Sequence, residues 1–166
     1  HDPGTRLAFT EYDYGAGGHV SGGLAQADVL GIFGKYGVFM ANYWGDLKVY
    51  NRAAFNLYRN YDGHGSVFGD TAVSAGAEDV KQTSVYASID FKNPGHLWIV
   101  VLNKNLKNNI HGRFQIDGSQ AYSHYQAYGF NARSSEVKPW RQGTLNHNQF
   151  DLDLPPLSAT LFVCEQ

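Results

Sequence analysis

Glu11 follows a short apolar run, residues 6–10, and precedes a glycine-rich stretch, residues 15–23. A carboxylate where a strand gives way to a loop sits at the C-terminal rim of a parallel barrel, where such folds gather their catalytic groups. There it can serve as a nucleophile or as a general acid/base. Trp44 ends a second apolar run, residues 38–44, and so holds the matching place one strand further on. An indole at that place can floor a sugar subsite, because stacking on a pyranose face buries apolar area without needing a charged partner. Tyr12, beside Glu11, offers a phenol that could orient the carboxylate. His19 lies in the loop that should cover the same strand ends, and counts with Tyr12 and Trp44 as a substrate-binding candidate. The plainer alternatives are a surface salt bridge for Glu11 and interior packing for the aromatics.

Other constellations carry less. Gly18-His19-Val20-Ser21-Gly22-Gly23 brings His and Ser together, but neighbours in sequence do not make a triad, and no G-x-S-x-G elbow occurs. The glycine spacing fits neither a Walker loop nor a dinucleotide fingerprint. The 7 histidines show no paired ligand spacing, which argues against a catalytic metal and for chemistry without a cofactor. Asn60-Tyr61-Asp62-Gly63-His64-Gly65 presents oxygens that a structural Ca²⁺ could use, though not in EF-hand order, and a turn is the default there.

The elements that must position these side chains change character near residue 70. Before it, residues 6–10 and 38–44 read as strands. Residues 24–35 read as a helix on the spacing of Ala27, Leu30 and Phe33, with Gly37 as a stop. A second helix follows Asn51 as N-cap, with Ala53, Ala54, Leu57, Tyr58 and Tyr61 on one face. Strand–helix–strand–helix is the pattern of a parallel sheet covered by helices. Beyond residue 70 the period becomes two: Val85, Ala87, Ile89 and Phe91 alternate with Ser84, Ser88 and Asp90. Residues 97–102 are continuously apolar, as a central strand buried on both faces should be. Short runs at 114–116, 123–130, 150–154 and 157–164 are separated by turn-formers such as Asn93-Pro94-Gly95 and Pro155-Pro156. The expected fold class is α/β plus all-β: the last two βα units of a TIM (β/α)8 barrel over residues 1–69, then an antiparallel β-sandwich over residues 70–166. Two such units make about a quarter of a barrel that needs roughly 250 residues. The rest should come from missing N-terminal sequence, in cis or as a second chain, and the start at His1 without Met fits a piece of a longer or processed protein.

Composition narrows the partners. With 43% hydrophobic and 17% charged residues the chain can bury a core. A net charge of -2 without a Lys/Arg run leaves nothing to track a phosphate backbone, so no nucleic acid is expected. The longest apolar run is strand-sized, so no membrane span is expected. The single cysteine, Cys164, excludes an internal disulfide and reads as a small buried hydrophobe in the last strand.

Thr10-Glu11-Tyr12-Asp13-Tyr14-Gly15 and the stretch His19-Val20-Ser21-Gly22-Gly23-Leu24-Ala25-Gln26-Ala27-Asp28-Val29-Leu30-Gly31-Ile32-Phe33-Gly34 closely resemble the nucleophile-bearing segment of glycoside hydrolase family 44. So does Tyr58-Arg59-Asn60-Tyr61-Asp62-Gly63 with Phe68-Gly69-Asp70-Thr71. The resemblance is strongest over residues 7–91. It implies a secreted, endo-acting, retaining enzyme on β-1,4-glucans such as cellulose derivatives, glucomannan or xyloglucan, with Glu11 of the T-E-Y motif as nucleophile. It also implies a general acid/base in an N-E-P motif on an earlier barrel strand, and this chain contains no N-E-P. Two other readings stand beside it. Residues 70–166 could be a non-catalytic carbohydrate-binding or structural module, or the enzyme could be a relative that cleaves xylan or mannan.

Overall fold

The computed structural model describes residues 4–92 and 94–166; Asn93 of the expected Asn93-Pro94-Gly95 turn lies outside them. Among the described residues the chain is mostly β, with two helices. Strand β1 (Ala8–Tyr12) leads to helix α1 (Val20–Lys35), and β2 (Met40–Tyr43) leads to α2 (Val49–Arg59). Eight further strands follow: β3 (Thr71–Val73), β4 (Thr83–Ile89), β5 (His96–Asn103), β6 (Ile110–Gln115), β7 (His124–Asn131), β8 (Ser134–Thr144), β9 (Gln149–Leu154) and β10 (Ser158–Glu165). β1 and β2 pair in parallel, as the strand–helix–strand pattern requires. The later strands form an antiparallel sheet in the order β3-β4-β5-β10-β7-β8, and β6 pairs separately with β9.

The six-stranded sheet is the middle of three layers. Trp98, Val100 and Leu102 of β5, with Leu161 of β10 and Phe130 of β7, join Leu24, Ala27, Ala54 and Leu57 of the helices in one core. Leu97, Ile99 and Val101, with Tyr125 of β7 and Phe162 of β10, face Phe150, Leu152 and Leu154 of β9 in a second. Strands buried on both faces need continuous apolar sequence, which is why residues 97–102 lack alternation. Cys164 belongs to the second core and is fully buried, as expected. Because the first core runs across residue 70, the α/β and β parts share packing.

Several boundaries differ from expectation for identifiable reasons. Helix α1 begins at Val20, four residues early, and takes in Gly22 and Gly23. A side chain at Gly22 would meet the Ala16 carbonyl at 2.2 Å, so close approach of the loop selects glycine there despite its poor helix propensity. The expected Gly15–Gly23 loop is correspondingly shorter. Asn51 is not the cap of α2, which Lys48 occupies; it lies within the helix and is buried. Phe91 falls beyond β4 and is exposed. Strand β8 escaped the period-two reading because it is an edge strand, polar and carrying Pro139, and only an edge tolerates that residue.

Candidate functional site

Glu11 lies within the last two residues of β1, and the register there is irregular. Phe9 pairs with Ala41 and Tyr12 with Tyr43, so Thr10 and Glu11 together oppose Asn42. Two residues against one is a β-bulge, a device that re-aims a side chain at the end of a strand. The bulge lets Phe9 and Tyr12 both turn toward helix α1: Phe9 stacks on Phe33 at 5.0 Å and Tyr12 meets the same ring edge-on at 5.2 Å. Pleat alternation then sends Glu11 to the face that the helices leave bare. Ala41 and Tyr43 face the helices with Phe9 and Tyr12, so Asn42 and Trp44 share the bare face. Glu11 is exposed, and its carboxylate takes no part in the ion pairs of the described residues. Trp44 is 68% exposed, and its backbone N–H donates to the Tyr12 carbonyl at 2.9 Å, which sets the two strand ends side by side.

The other two candidates take different positions. Tyr12 does not hold Glu11; its hydroxyl accepts a hydrogen bond from Gln26 Nε2 at 2.9 Å, on the helix side. Burial pushes the Tyr12 phenol above its ordinary value, partly offset by that bond, and burial does the same for Tyr43. Both phenols therefore keep their protons near neutral pH. His19 caps α1: its Nδ1 accepts from the Ser21 N–H at 3.2 Å and lies 2.9 Å from Ser21 Oγ. Sequence reasoning missed Asp13, whose Oδ1 accepts from the Gly15 N–H at 2.9 Å and from the Tyr43 hydroxyl at 3.1 Å. Only the carboxylate two residues beyond Glu11 could have pointed to it.

The oxygens of the loop considered for Ca²⁺ take part in hydrogen bonds within the loop. Asp62 accepts from the Ser66 hydroxyl at 2.6 Å and from the His64 N–H at 2.8 Å, and Asn60 Oδ1 accepts from Gly65 N–H at 2.7 Å. Its oxygens close the turn on itself, and the Ser66 bond leads in holding the Asp62 carboxyl down at about 2. Among the described residues no group of three or more His, Cys, Asp or Glu side chains could hold a metal. A cleft of about 710 Å³ lies elsewhere, between Arg59, Tyr61 and Asp62 and the sheet residues Trp98, Tyr128 and Glu165. Two of its aromatics are committed to each other, Trp98 Nε1 donating to the Tyr61 hydroxyl at 3.1 Å. Glu11 is not among the residues lining that cleft, and its own strand pairs only with β2 among the described residues.

No family model matches the chain. It is nevertheless 48% identical over 160 residues to endoglucanase A of Paenibacillus lautus, covering 95% of this chain and 23% of that protein. A family 44 endoglucanase from Clostridium thermocellum superposes with a TM-score of 0.95 at 45% identity, over 98% of this chain and 32% of that one. A family 44 xyloglucanase from Paenibacillus polymyxa, solved with xyloglucan, gives 0.95 at 41% identity over 99% and 33%. These relatives are glycoside hydrolases. Residues 10–34 point to that same family, and the likeness to its solved members runs over nearly the whole of this chain. The chain spans about a quarter of the curated relative's length and about a third of the solved ones.

Proposed function

We propose that this chain is the C-terminal part of a secreted, retaining endo-β-1,4-glucanase and carries its nucleophile, Glu11. The observation that supports it most is the bulged end of β1, which turns Glu11 to the bare face beside the exposed Trp44. In this reading β1 and β2 are the last two strands of a (β/α)8 barrel, and the bare face is the barrel's inside. Exposed apolar residues around it, Leu7, Phe39 and Met40, then pack against the strands that complete the ring. Those strands supply the second carboxyl group.

Retaining hydrolysis needs two carboxyl groups roughly 5–5.5 Å apart. Glu11 attacks the anomeric carbon while the protonated partner gives its proton to the departing glycosidic oxygen. The bond from sugar to leaving group breaks as the glycosyl ester on Glu11 forms. The partner, now a carboxylate, takes a proton from water, which attacks the same carbon and restores Glu11. No cofactor enters this sequence. Trp44 stacks a sugar ring beside the cleavage point, and His19 stands at the margin of the groove, whereas the Tyr12 side chain lies on the helix side. The endoglucanase and xyloglucanase relatives make a β-1,4-glucan the proposed substrate.

Glu11→Gln in the full-length parent enzyme tests the assignment. Activity on soluble β-glucan should fall by several orders of magnitude while binding persists. Unimpaired turnover by that variant would end the reading.

A further inference from the structure

Helices α1 and α2 each carry one polar side chain that is almost wholly buried, Gln26 and Asn51, both 2% exposed. Each amide ends its hydrogen bonds on the few residues just past Glu11. Gln26 Nε2 donates to the Tyr12 hydroxyl at 2.9 Å. Asn51 Nδ2 donates to the Tyr43 hydroxyl at 2.5 Å, and Tyr43 passes its own proton to Asp13 Oδ1 at 3.1 Å. Tyr43 has a single proton and spends it on Asp13, so Asn51 must present its NH₂ to it. That leaves the Asn51 Oδ1 buried without a partner. An orphaned buried acceptor costs stability, so this side chain is not there for packing alone.

The same helix-borne amide shapes the loop. A Cβ on Gly17 would sit 2.7 Å from Asn51 Nδ2, and the Tyr50 N–H donates to the Gly17 carbonyl at 3.0 Å. Asp13 in turn holds the Gly15 N–H. The backbone immediately following Glu11 is thus tied to α1 through Tyr12 and to α2 through Tyr43 and Asp13, with the Trp44 backbone N–H on the Tyr12 carbonyl as a third tether. The Glu11 carboxylate takes no part in the ion pairs of the described residues.

We propose that Gln26–Tyr12 and Asn51–Tyr43–Asp13 are positioning relays that fix the direction of the Glu11 carboxylate from behind the sheet. This rests on the reading of Glu11 as the nucleophile. A near-attack geometry tolerates little error, and a displacement of about 1 Å can cost about 100-fold in rate. The relays contact the strand and loop, not the sugar, so they act on turnover and leave ground-state binding alone.

The test uses the full-length parent enzyme on soluble β-glucan, with Tyr12→Phe, Tyr43→Phe and Glu11→Gln as separate variants. Each Phe variant removes one oxygen and keeps the ring packing; should one fail to fold, the other decides. Melting temperature is recorded beside kcat and KM, so that loss of folded protein is counted separately. The relays predict a fall in kcat of about 10- to 100-fold in folded Tyr12→Phe and Tyr43→Phe, with KM within about twofold. An unchanged kcat in both, while Glu11→Gln is inactive, overturns the relays and spares the nucleophile. A raised KM with kcat intact also overturns them, since it marks direct contact with substrate. Full turnover by Glu11→Gln removes the reading on which the relays rest.

Discussion

Adding a single methyl group to helix α1 gives opposite results at two glycines three residues apart. At Gly31 a Cβ would lie 2.2, 2.3 and 2.5 Å from three carbons of the Tyr86 ring. Ordinary carbon–carbon contact is about 3.5–4.0 Å, so ring or helix must retreat by more than about 1 Å. Neither is free to do so. The Tyr86 hydroxyl donates to Asp28 on the same helix at 2.5 Å, and the Tyr58 hydroxyl holds the Ala27 carbonyl at 3.0 Å. Overpacking of this kind costs about 1–3 kcal/mol, and exchanging a helical Gly for Ala returns up to about 1 kcal/mol. Gly31→Ala should therefore destabilise the chain by about 1–2 kcal/mol. With a urea dependence of about 2 kcal/mol/M, the midpoint falls by roughly 0.5–1 M at unchanged slope. Gly34 has nothing within 4 Å of its Cβ position, so Gly34→Ala keeps only the propensity gain and raises the midpoint. Urea titration of the 166-residue chain followed by circular dichroism reads both. A midpoint for Gly31→Ala equal to or above that of Gly34→Ala would refute the helix-on-ring contact.

Two further outcomes follow from the packing and the charges. Removing residues 1–69 strips the helices from Trp98, Val100, Leu102, Phe130 and Leu161, so residues 70–166 alone should bind a hydrophobic dye and unfold without cooperativity; a sharp, reversible melt would show that the sheet needs no helix layer. The Asp62 carboxyl is held down at about 2, against its ordinary 3.8. A depressed acid stabilises the folded state above its unfolded value and ceases to as pH falls through the folded one. The gap in melting temperature between the native chain and Asp62→Asn should be widest above about pH 4 and close toward pH 2; a gap independent of pH would show that the charge contributes nothing.

The two βα units were legible because their signals are local. Apolar runs of strand length, a helical face at Ala53, Ala54, Leu57 and Tyr58, and Glu11 and Trp44 at matching strand ends all stand in the sequence itself. Features set by contacts between distant segments were not. The bulge at Thr10-Glu11 exists only relative to Asn42 on another strand. Gly22 and Gly23 read as loop because their low propensity is visible, whereas the Ala16 carbonyl and Tyr50 that require them are brought in by folding. Asn51 read as a cap on residue type, and its burial against Tyr43 follows from the packing of α2 on the sheet of β1 and β2. In β4 the small polar residues Ser84 and Ser88 suggested a solvent face, yet Tyr86 between them fills the helix-side core. A sheet covered on both sides does not announce its second cover when that cover leans on one large residue.

The nucleophile is whichever carboxylate becomes bonded to sugar, and a covalent trap reads that directly. Fluorine at C2 of a cello-oligosaccharide slows both formation and breakdown of the glycosyl ester, since both pass through an oxocarbenium-like state, and a good leaving group restores formation alone, so the ester accumulates. Peptide mass mapping of the full-length enzyme after such treatment should find one fluoro-oligosaccharyl group per molecule, on the peptide bearing residues 7–35 and fragmenting to Glu11. Label on any other carboxylate, or equal labelling of a protein lacking the Glu11 carboxylate, would contradict Glu11 as the nucleophile.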